Sequence, residues 1–226
     1  MKVMLLGATG LTGGLVLEGL LASDSVAKVV APVRRAISIE HEKLQEEAVD
    51  FDHLERHESL FEVDVIVCCL GSTIKKAGSR ERFRQVDYGY AMKAAEMGHR
   101  QGVTAFILMS AIGASSGSPV FYNRVKGELE DGLQDLAFRY LSIYQPGLLM
   151  TGRSEQRLAE SLGIKAMPAV NCLLQGPMKR YRGIDAALVA RAMVNEIVGL
   201  AIDDPSGKAG VFRRRYEDMV ASASSR

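Results

Sequence analysis

Short apolar runs alternate with amphipathic stretches along most of the chain. Several runs are continuous and rich in β-branched residues, which is typical of strands buried on both faces of a sheet. The predicted strands are 2–6, 28–33, a short strand ending at Ala48-Val49, 63–69, 105–109 and 140–144. The predicted helices between them are 11–21, 80–101 and 120–136. This alternation predicts an α/β fold with a Rossmann-type, doubly wound parallel sheet.

The last third of the chain is less regular. Residues 151–179 contain two prolines and three glycines, which predicts an excursion of short helices and loops at about 151–180. Residues 184–200 predict an amphipathic closing helix, and the small, polar residues 221–226 predict a frayed tail. Since no shift in composition marks a boundary, we predict a single domain over residues 1–226.

A glycine-rich turn, GATGLTG over residues 7–13, follows the first predicted strand and opens the first predicted helix. Glycines at this spacing permit a sharp strand exit, close approach of a pyrophosphate and close helix–sheet packing. The helix start and the threonine hydroxyls offer hydrogen-bond donors to phosphate. The pattern predicts a dinucleotide site, and a tight turn without a ligand is the alternative. The expected binding residues in this turn are Gly7, Thr9, Gly10, Leu11, Thr12 and Gly13.

The end of the second predicted strand indicates which dinucleotide binds. Proteins that bind NAD usually carry Asp or Glu near this position, where the carboxylate accepts hydrogen bonds from the adenosine ribose. This chain has Arg34 and Arg35 instead. A guanidinium can hold the 2′-phosphate of NADP(H) and stack on adenine, whereas a carboxylate would repel that phosphate. The pair therefore predicts NADP(H), and solvated loop charges are the alternative.

Two further loops at the carboxyl ends of strands are predicted to line the adenosine. After the third strand, Asp50 could accept a hydrogen bond from the adenine amino group and Phe51 could wall the base. A helix cap is an equally plausible role for Asp50. After the fourth strand, the loop Leu70-Gly71-Ser72 can approach the ribose closely, and a turn without a ligand is the alternative.

Tyr122 and Lys126 form a Tyr-x-x-x-Lys motif on the helix predicted at 120–136. This spacing places both side chains on one helical face, so that they can meet. The preceding strand ends at Ser110 and delivers a hydroxyl to the carboxyl edge of the sheet. The apolar stripe of the helix is predicted to be offset from the motif and to pack inward: Phe121, Val125, Leu129 and Leu133.

These residue types suit hydride transfer between a nicotinamide cofactor and a carbonyl or alcohol. Reduction leaves an alkoxide that needs a proton, which Tyr122 can donate. A nearby Lys126 ammonium is expected to lower the tyrosine pKa from its usual value of about 10 and to bind the nicotinamide ribose. Ser110 can orient the carbonyl oxygen and stabilise its developing charge. An exposed helix pair with a capping serine is the alternative.

Pro146-Gly147 follows the sixth predicted strand and is expected to close over the nicotinamide. A purely structural strand exit is the alternative. The excursion at about 151–180 would then lie on the substrate side of the site. Its apolar residues could line a substrate pocket, although residues of this type more often belong to a core.

In combination, these stretches resemble the atypical short-chain dehydrogenases/reductases, and more closely the Tat-interacting-protein-like family of NADPH-binding oxidoreductases. The matching stretches are GATGLTGG (7–14), VRR (33–35), VDF (49–51), CCLGST (68–73), VDYGYAMKAAE (86–96), SAIGAS (110–115), YNRVKGELE (122–130) and PGLLMTGR (146–153). The resemblance implies a Rossmann fold, NADP(H) binding by the glycine turn and Arg34, and a triad of Ser110, Tyr122 and Lys126. Gln145 departs from the family pattern, in which Arg is expected before Pro-Gly.

The main functional prediction is an NADPH-dependent oxidoreductase that acts on a small carbonyl compound or its alcohol. The alternative is a regulatory or assembly protein in which bound NADP(H) stabilises a surface and little turnover occurs. Family members with an intact triad are known as regulatory proteins, but the intact triad favours the enzyme. A nucleotide-sugar isomerase or epimerase is disfavoured, because a chain of 226 residues leaves little to build a nucleotide-sugar subdomain.

Composition limits the expected partners. A formal net charge of +1 gives no basic excess that would favour nucleic acid or an anionic membrane. The chain shows neither a secretory signal nor an apolar stretch long enough to span a bilayer. Cys68, Cys69 and Cys172 match neither a disulfide framework nor a metal site. We therefore expect a cytoplasmic monomer or homodimer with a small-molecule substrate.

Overall fold

The computed structural model describes residues 1–37, 39–150, 182–200 and 207–224. Its strands are β1 (Lys2–Leu6), β2 (Lys28–Val33), β3 (Leu44–Ala48), β4 (Val65–Cys68), β5 (Ala105–Met109), β6 (Tyr140–Tyr144), β7 (Leu149–Met150), β8 (Ile184–Asp185) and β9 (Gly210–Arg214). Seven of them form one parallel sheet in the order β3-β2-β1-β4-β5-β6-β9. β7 and β8 form a separate parallel pair. The strand order reverses at β1, which is the Rossmann arrangement and confirms the predicted fold class.

The helices in the described ranges lie on both faces of the large sheet. They are α1 (Leu11–Leu21), a 3₁₀ helix (Phe51–Phe61), α2 (Ile74–Ala77), α3 (Arg80–Arg84), α4 (Tyr90–Arg100), α5 (Phe121–Asp135), α6 (Ala186–Val198) and α7 (Tyr216–Ser224). A π-helical segment, Gln85–Gly89, joins α3 to α4 within the helix predicted at 80–101. The predicted excursion at about 151–180 lies outside the described residues.

Alternate residues of each central strand enter two separate cores. Val3 and Leu5 of β1 pack with α1, α6 and α7, whereas Met4 and Leu6 pack with the 3₁₀ helix, α4 and α5. A strand buried on both faces must be apolar at every position, which explains the continuous runs in the sequence. The sheet therefore holds its carboxyl edge rigidly between two layers of helices.

The sequence prediction was wrong about the carboxyl-terminal region. Neither β9 nor α7 was predicted, and the tail expected to fray from residue 221 is helical to Ser224. Ala223 is buried against the α1 side of the core. β9 adds a seventh strand beside β6, so the sheet extends one strand beyond the predicted set.

A buried carboxylate fastens this added strand to the rest of the fold. Glu196 of α6 accepts hydrogen bonds from the hydroxyls of Tyr140 and Tyr144 on β6 and from Arg214 on β9, whose Nη2 lies 2.8 Å from Oε1. Burial raises the pKa of Glu196, but these donors more than offset that effect and hold it below the ordinary value of 4.5. Three elements are thereby joined through one ionised side chain.

We expect Glu196→Gln to lower the free energy of unfolding by about 3 kcal/mol at pH 7, because Arg214 and two phenols lose an ionised partner. Since the folded-state pKa is depressed, the Glu196 contribution is complete above the ordinary value and is lost as the pH falls through the folded-state pKa. Urea unfolding of parent and variant should therefore converge in acid. Glu18→Gln, on the exposed face of α1, is the control and should change stability by less than about 0.5 kcal/mol. A stability difference independent of pH would contradict the ionic role.

Candidate active site

The glycine turn between β1 and α1 is built by close backbone packing. Gly7 has φ +85°, and a Cβ there would lie 2.7 Å from the carbonyl carbon of Cys69. A Cβ on Gly13 would lie 2.1 Å from the carbonyl oxygen of Gly7. Both positions therefore require glycine, and the turn lies directly against the loop that follows β4. This is the backbone arrangement that the glycine spacing predicted.

The start of α1 is open to an anionic ligand. Gly10 occupies the N-cap in an extended conformation, no side chain caps the helix, and its first turn holds no acidic residue. Thr9, Gly10 and Leu11 are exposed, whereas Thr12 is buried. Helix N–H groups that lack a partner carry partial positive charge and favour phosphate. The turn thus fits a pyrophosphate, with the Thr9 hydroxyl better placed than that of Thr12.

Arg34 and Arg35 follow β2 and are exposed. Within the part of the chain that the structure describes, neither side chain forms a hydrogen bond or an ion pair. β2 pairs with β1, so both arginines leave the sheet at the same edge as the glycine turn. Their guanidinium groups are available to an anion at this edge.

The two residues predicted beside the adenine have structural partners. Asp50 caps the 3₁₀ helix: its Oδ1 accepts a hydrogen bond from the Asp52 N–H at 3.0 Å. Phe51 is buried, and its ring lies against that of Tyr90 with centroids 5.4 Å apart. The capping role that the sequence left open for Asp50 is therefore present in the structure, and Phe51 belongs to the core.

Lys126 is buried in an ion pair that the sequence analysis did not predict. Its Nζ lies 2.9 Å from Oδ1 of Asp87, and the two side chains are 3% and 0% exposed. Asp87 is on the π-helical segment, a form of helix that is frequent at functional sites. Burial lowers the pKa of Lys126, but Asp87, aided by Tyr122, raises it above the ordinary lysine value. The ammonium therefore stays charged inside the protein.

The loop after β4 connects this ion pair to the glycine turn at the carboxyl edge of the sheet. The Ser72 N–H donates a hydrogen bond to Oδ2 of Asp87 at 2.8 Å. Gly71 is exposed, and a Cβ there would lie 3.7 Å from Asp87 Oδ1 and 3.9 Å from Lys126 Nζ. Leu70 packs at the edge of the core. The predicted ribose loop thus lies directly over the buried lysine, which the sequence alone did not indicate.

Tyr122 is half-buried one helical turn before Lys126 on α5. Its ring packs against Phe83 of α3, with centroids 5.5 Å apart. Phe121 is also only half-buried, so its predicted place in the core is wrong, whereas Val125, Leu129 and Leu133 are buried as predicted. The motif is not offset from the buried surface of the helix, because Lys126 is itself buried there.

Ser110 is buried at the end of β5, and its hydroxyl points to a residue that the sequence analysis did not select. Its Oγ donates a hydrogen bond to Oε1 of Glu130 at 2.5 Å. The Gln145 side-chain amide donates to both oxygens of the same carboxylate at 3.0 and 2.9 Å. Burial raises the pKa of Glu130, although the hydrogen bonds from Gln145 and Ser110 partly oppose the effect. Ser110 and Glu130 both lie in stretches quoted above, but their contact depends on the tertiary structure.

The loops after β5 and β6 support each other. The Ile112 N–H donates a hydrogen bond to the buried Pro146 carbonyl at 2.9 Å, and Gly147 is half-buried beside it. On the other side, a Cβ on Gly127 of α5 would lie 2.1 Å from the carbonyl carbon of Ser115. The loop after β5 is thus pressed between α5 and the Pro146-Gly147 turn, close to Ser110.

Cys68, at the end of β4, is a buried free thiol. Burial raises the pKa of the Cys68 thiol to about 11, so it remains protonated at neutral pH. In the described ranges, no three His, Cys, Asp or Glu side chains are grouped so as to hold a metal ion. No helix in those ranges is both long enough and apolar enough to cross a membrane.

Comparisons with known proteins agree with this geometry. A family model described as NAD(P)H-binding matches residues 7–157. Protein HTATIP2 of Rattus norvegicus is 36% identical over 201 residues, covering 87% of this chain and 81% of that protein. The mitochondrial protein fmp52 of Aspergillus clavatus is 31% identical over 233 residues, covering 97% of each chain.

Solved structures share the fold. The oxidoreductase ylbE from Lactococcus lactis has a TM-score of 0.56 at 23% identity, covering 66% of this chain and 70% of that one. The enzyme WbmH from Bordetella bronchiseptica, solved in complex with NAD+, has a TM-score of 0.68 at 15% identity, covering 95% and 75%. At such low identity, these similarities support the fold alone.

The relatives correct the expected location. FMP52 proteins of Lodderomyces elongisporus, Meyerozyma guilliermondii and Candida albicans are also named as mitochondrial. The cytoplasmic location predicted from the sequence is therefore contradicted. The reasoning failed because the absence of an apolar secretory segment does not distinguish one intracellular compartment from another.

The family model matches two thirds of the sequence, and two relatives above 30% identity span most of both chains. On these grounds, the chain belongs to the NAD(P)H-binding, oxidoreductase-like family that includes HTATIP2 and FMP52.

Proposed function

We propose that this protein is an NADPH-dependent oxidoreductase of the short-chain dehydrogenase/reductase type that interconverts a small carbonyl compound and its alcohol. The observation that carries the proposal is the buried Lys126–Asp87 ion pair. It keeps an ammonium beside the Tyr122 phenol and beneath the loop that borders the nucleotide edge. Removing two charges from water is costly, so this arrangement suits a site whose chemistry needs a charged lysine.

The carboxyl edge of the sheet offers groups that would bind the successive parts of NADP(H). The N–H groups at the start of α1 and the Thr9 hydroxyl would hold the pyrophosphate, and Arg34 and Arg35 would hold the 2′-phosphate. The loop Leu70-Gly71-Ser72 would border a ribose. Lys126 has ammonium protons beyond the one directed at Asp87 and would bind the nicotinamide ribose. Pro146-Gly147 would border the nicotinamide. Asp50 and Phe51 would support the adenine pocket from their positions as cap and core residue.

The bound cofactor supplies or accepts the hydride. Tyr122 would donate the proton that a reduced carbonyl oxygen requires, and it would take that proton back during oxidation. Lys126 lies one helical turn from Tyr122, and Asp87 keeps the Lys126 ammonium charged. Ser110 would hold the substrate oxygen at the end of β5. Each catalytic residue thus has a separate task.

Cofactor choice is the first prediction of this proposal. NADPH should raise the melting temperature more than NADH at equal concentration. Only NADPH carries the adenosine 2′-phosphate that Arg34 and Arg35 are proposed to bind. A hundredfold difference in affinity corresponds to about 2.7 kcal/mol. Arg34→Ala should shrink the difference, whereas Arg100→Ala, at the end of α4 near the opposite edge of the sheet, should not. Equal stabilisation of the parent by both nucleotides would exclude this preference.

Tyr122→Phe tests the proton donor. The ring and its packing against Phe83 are kept, so NADPH affinity and melting temperature should change little. Carbonyl reduction should fall by roughly 10²-fold or more, because the donor hydroxyl is gone. The measurements are NADPH fluorescence titration and loss of absorbance at saturating cofactor. Full activity in the variant would show that another group supplies the proton. A parent that binds NADPH but turns over no carbonyl compound would favour the regulatory alternative.

Lys126→Met separates nucleotide binding from stability. It leaves the Asp87 carboxylate buried without its ammonium, so we expect a loss of about 3 kcal/mol in the free energy of unfolding. Adding Asp87→Asn removes the orphaned charge and should recover most of this loss. NADPH affinity should stay low in both variants, because the ribose donor is absent. If the double variant bound NADPH as tightly as the parent, Lys126 would not contact the ribose.

A further inference from the structure

The Ser110 hydroxyl has a single proton, and the ionised Glu130 carboxylate is positioned to accept it. Its Oγ donates to Oε1 of Glu130, which lies one helical turn beyond Lys126 on α5 and is 4% exposed. While this hydrogen bond exists, Ser110 has only lone pairs left for a ligand. It can then accept a hydrogen bond from an alcohol, but it cannot donate one to a carbonyl oxygen.

The groups around Glu130 act on its ionisation in both directions. Gln145, at the end of β6, offers an uncharged amide at 2.9 and 3.0 Å. Among the described residues, the cation paired with Glu130 is exposed Arg213 of β9, whose Nε lies 3.9 Å from Oε2. On α5, exposed Asp131 opposes ionisation, and Lys126 is already paired with Asp87. Burial is the largest influence and raises the pKa of Glu130.

A cleft gives this carboxyl group its own contact with solvent. The cleft has a volume of about 430 Å³ and is bordered by Glu130 and Gln145. Exposed Asp131, Arg213 and Arg215 and the loop at Ser115–Ser116 form its other walls. Solvent can therefore approach Glu130 from the side of α5 and β9.

We propose that Glu130 is a positioning residue for Ser110, and that its protonation decides whether Ser110 donates or accepts a hydrogen bond at the substrate oxygen. This inference rests on the proposed function. When Glu130 is protonated, its carboxyl O–H donates to Ser110 Oγ, and the Ser110 proton is free to bind a carbonyl oxygen. When Glu130 is ionised, Ser110 donates to it and accepts from an alcohol O–H. Protonation thus favours reduction, and ionisation favours oxidation.

The hydrogen bond itself is tested without cofactor or turnover. Carboxyl ¹³C NMR of protein labelled at glutamate follows the titration of Glu130, which Glu130→Gln assigns. Gln145→Arg should lower the midpoint by about one to three pH units, because a guanidinium stabilises the carboxylate. Ser110→Ala should raise it by removing a donor. Asp135→Asn, an exposed change on the same helix, is the control and should shift it by less than about 0.5 unit. An unchanged midpoint in both Gln145→Arg and Ser110→Ala would overturn the proposal.

The consequence for a substrate is tested with 4-nitrobenzaldehyde and NADPH. In the parent, kcat/KM for reduction should fall as the pH rises through the Glu130 midpoint. Glu130→Gln should lose this fall, because its amide N–H donates to Ser110 at every pH. Gln145→Arg should move the fall in kcat/KM to lower pH and reduce kcat/KM at neutral pH roughly tenfold or more. In a Glu130→Gln background, the same Gln145→Arg change should leave the pH profile unaltered. NADPH affinity should be unchanged throughout, and Asp135→Asn should keep the parent profile.

If kcat/KM for reduction by Glu130→Gln falls at the same pH as in the parent, the proposal is overturned. If the parent bound no NADPH or reduced no carbonyl probe, the proposed function would be contradicted instead. The carboxyl titration would then decide by itself whether Glu130 controls the Ser110 hydroxyl.

Discussion

The Asp87 carboxylate, 2.9 Å away, is the main reason that Lys126 can remain charged in the protein interior. Much of the site depends on this pair. The π-helical segment between α3 and α4 brings Asp87 under the loop after β4, and the Ser72 N–H fixes its second oxygen. A single ion pair therefore joins the loop after β4, which lies against the glycine turn, to the helix that carries Tyr122. Loss of either charge would leave the other buried without compensation.

Helix α5 performs two tasks on adjoining faces. One row of apolar residues, which includes Leu129 and Leu133, packs on the sheet and fixes the position of the helix. A neighbouring row turns Lys126 and Glu130 toward the ends of the strands. Gly127 lies between them and lets the loop after β5 approach the helix backbone. The close approach of that loop brings Ser110 and the helix carboxylate into hydrogen-bond contact.

Two buried glutamates show how the neighbours decide the state of a carboxyl group. Glu196 meets Arg214 and two tyrosine hydroxyls, and its pKa is held below the ordinary value, which suits a permanent fastening between α6, β6 and β9. Glu130 meets an amide and a serine hydroxyl, and its pKa is raised by burial. The same residue type thus has a lowered pKa where a guanidinium contacts it closely and a raised pKa where burial dominates.

Local sequence determined the elements whose signal is contained within a few residues. β1, β2, β5, β6 and α1 have the predicted bounds, because strands buried on both faces and a glycine-opened helix are specified by their own residues. The tertiary structure decided the rest. β9 has a mostly exposed pattern and is a strand because β6 offers it an edge, while Asp50 and Phe51 received cap and core roles. Asp87 and Glu130 were missed because the partners that give them meaning, Lys126 and Ser110, are 39 and 20 positions away, and only folding brings them into contact.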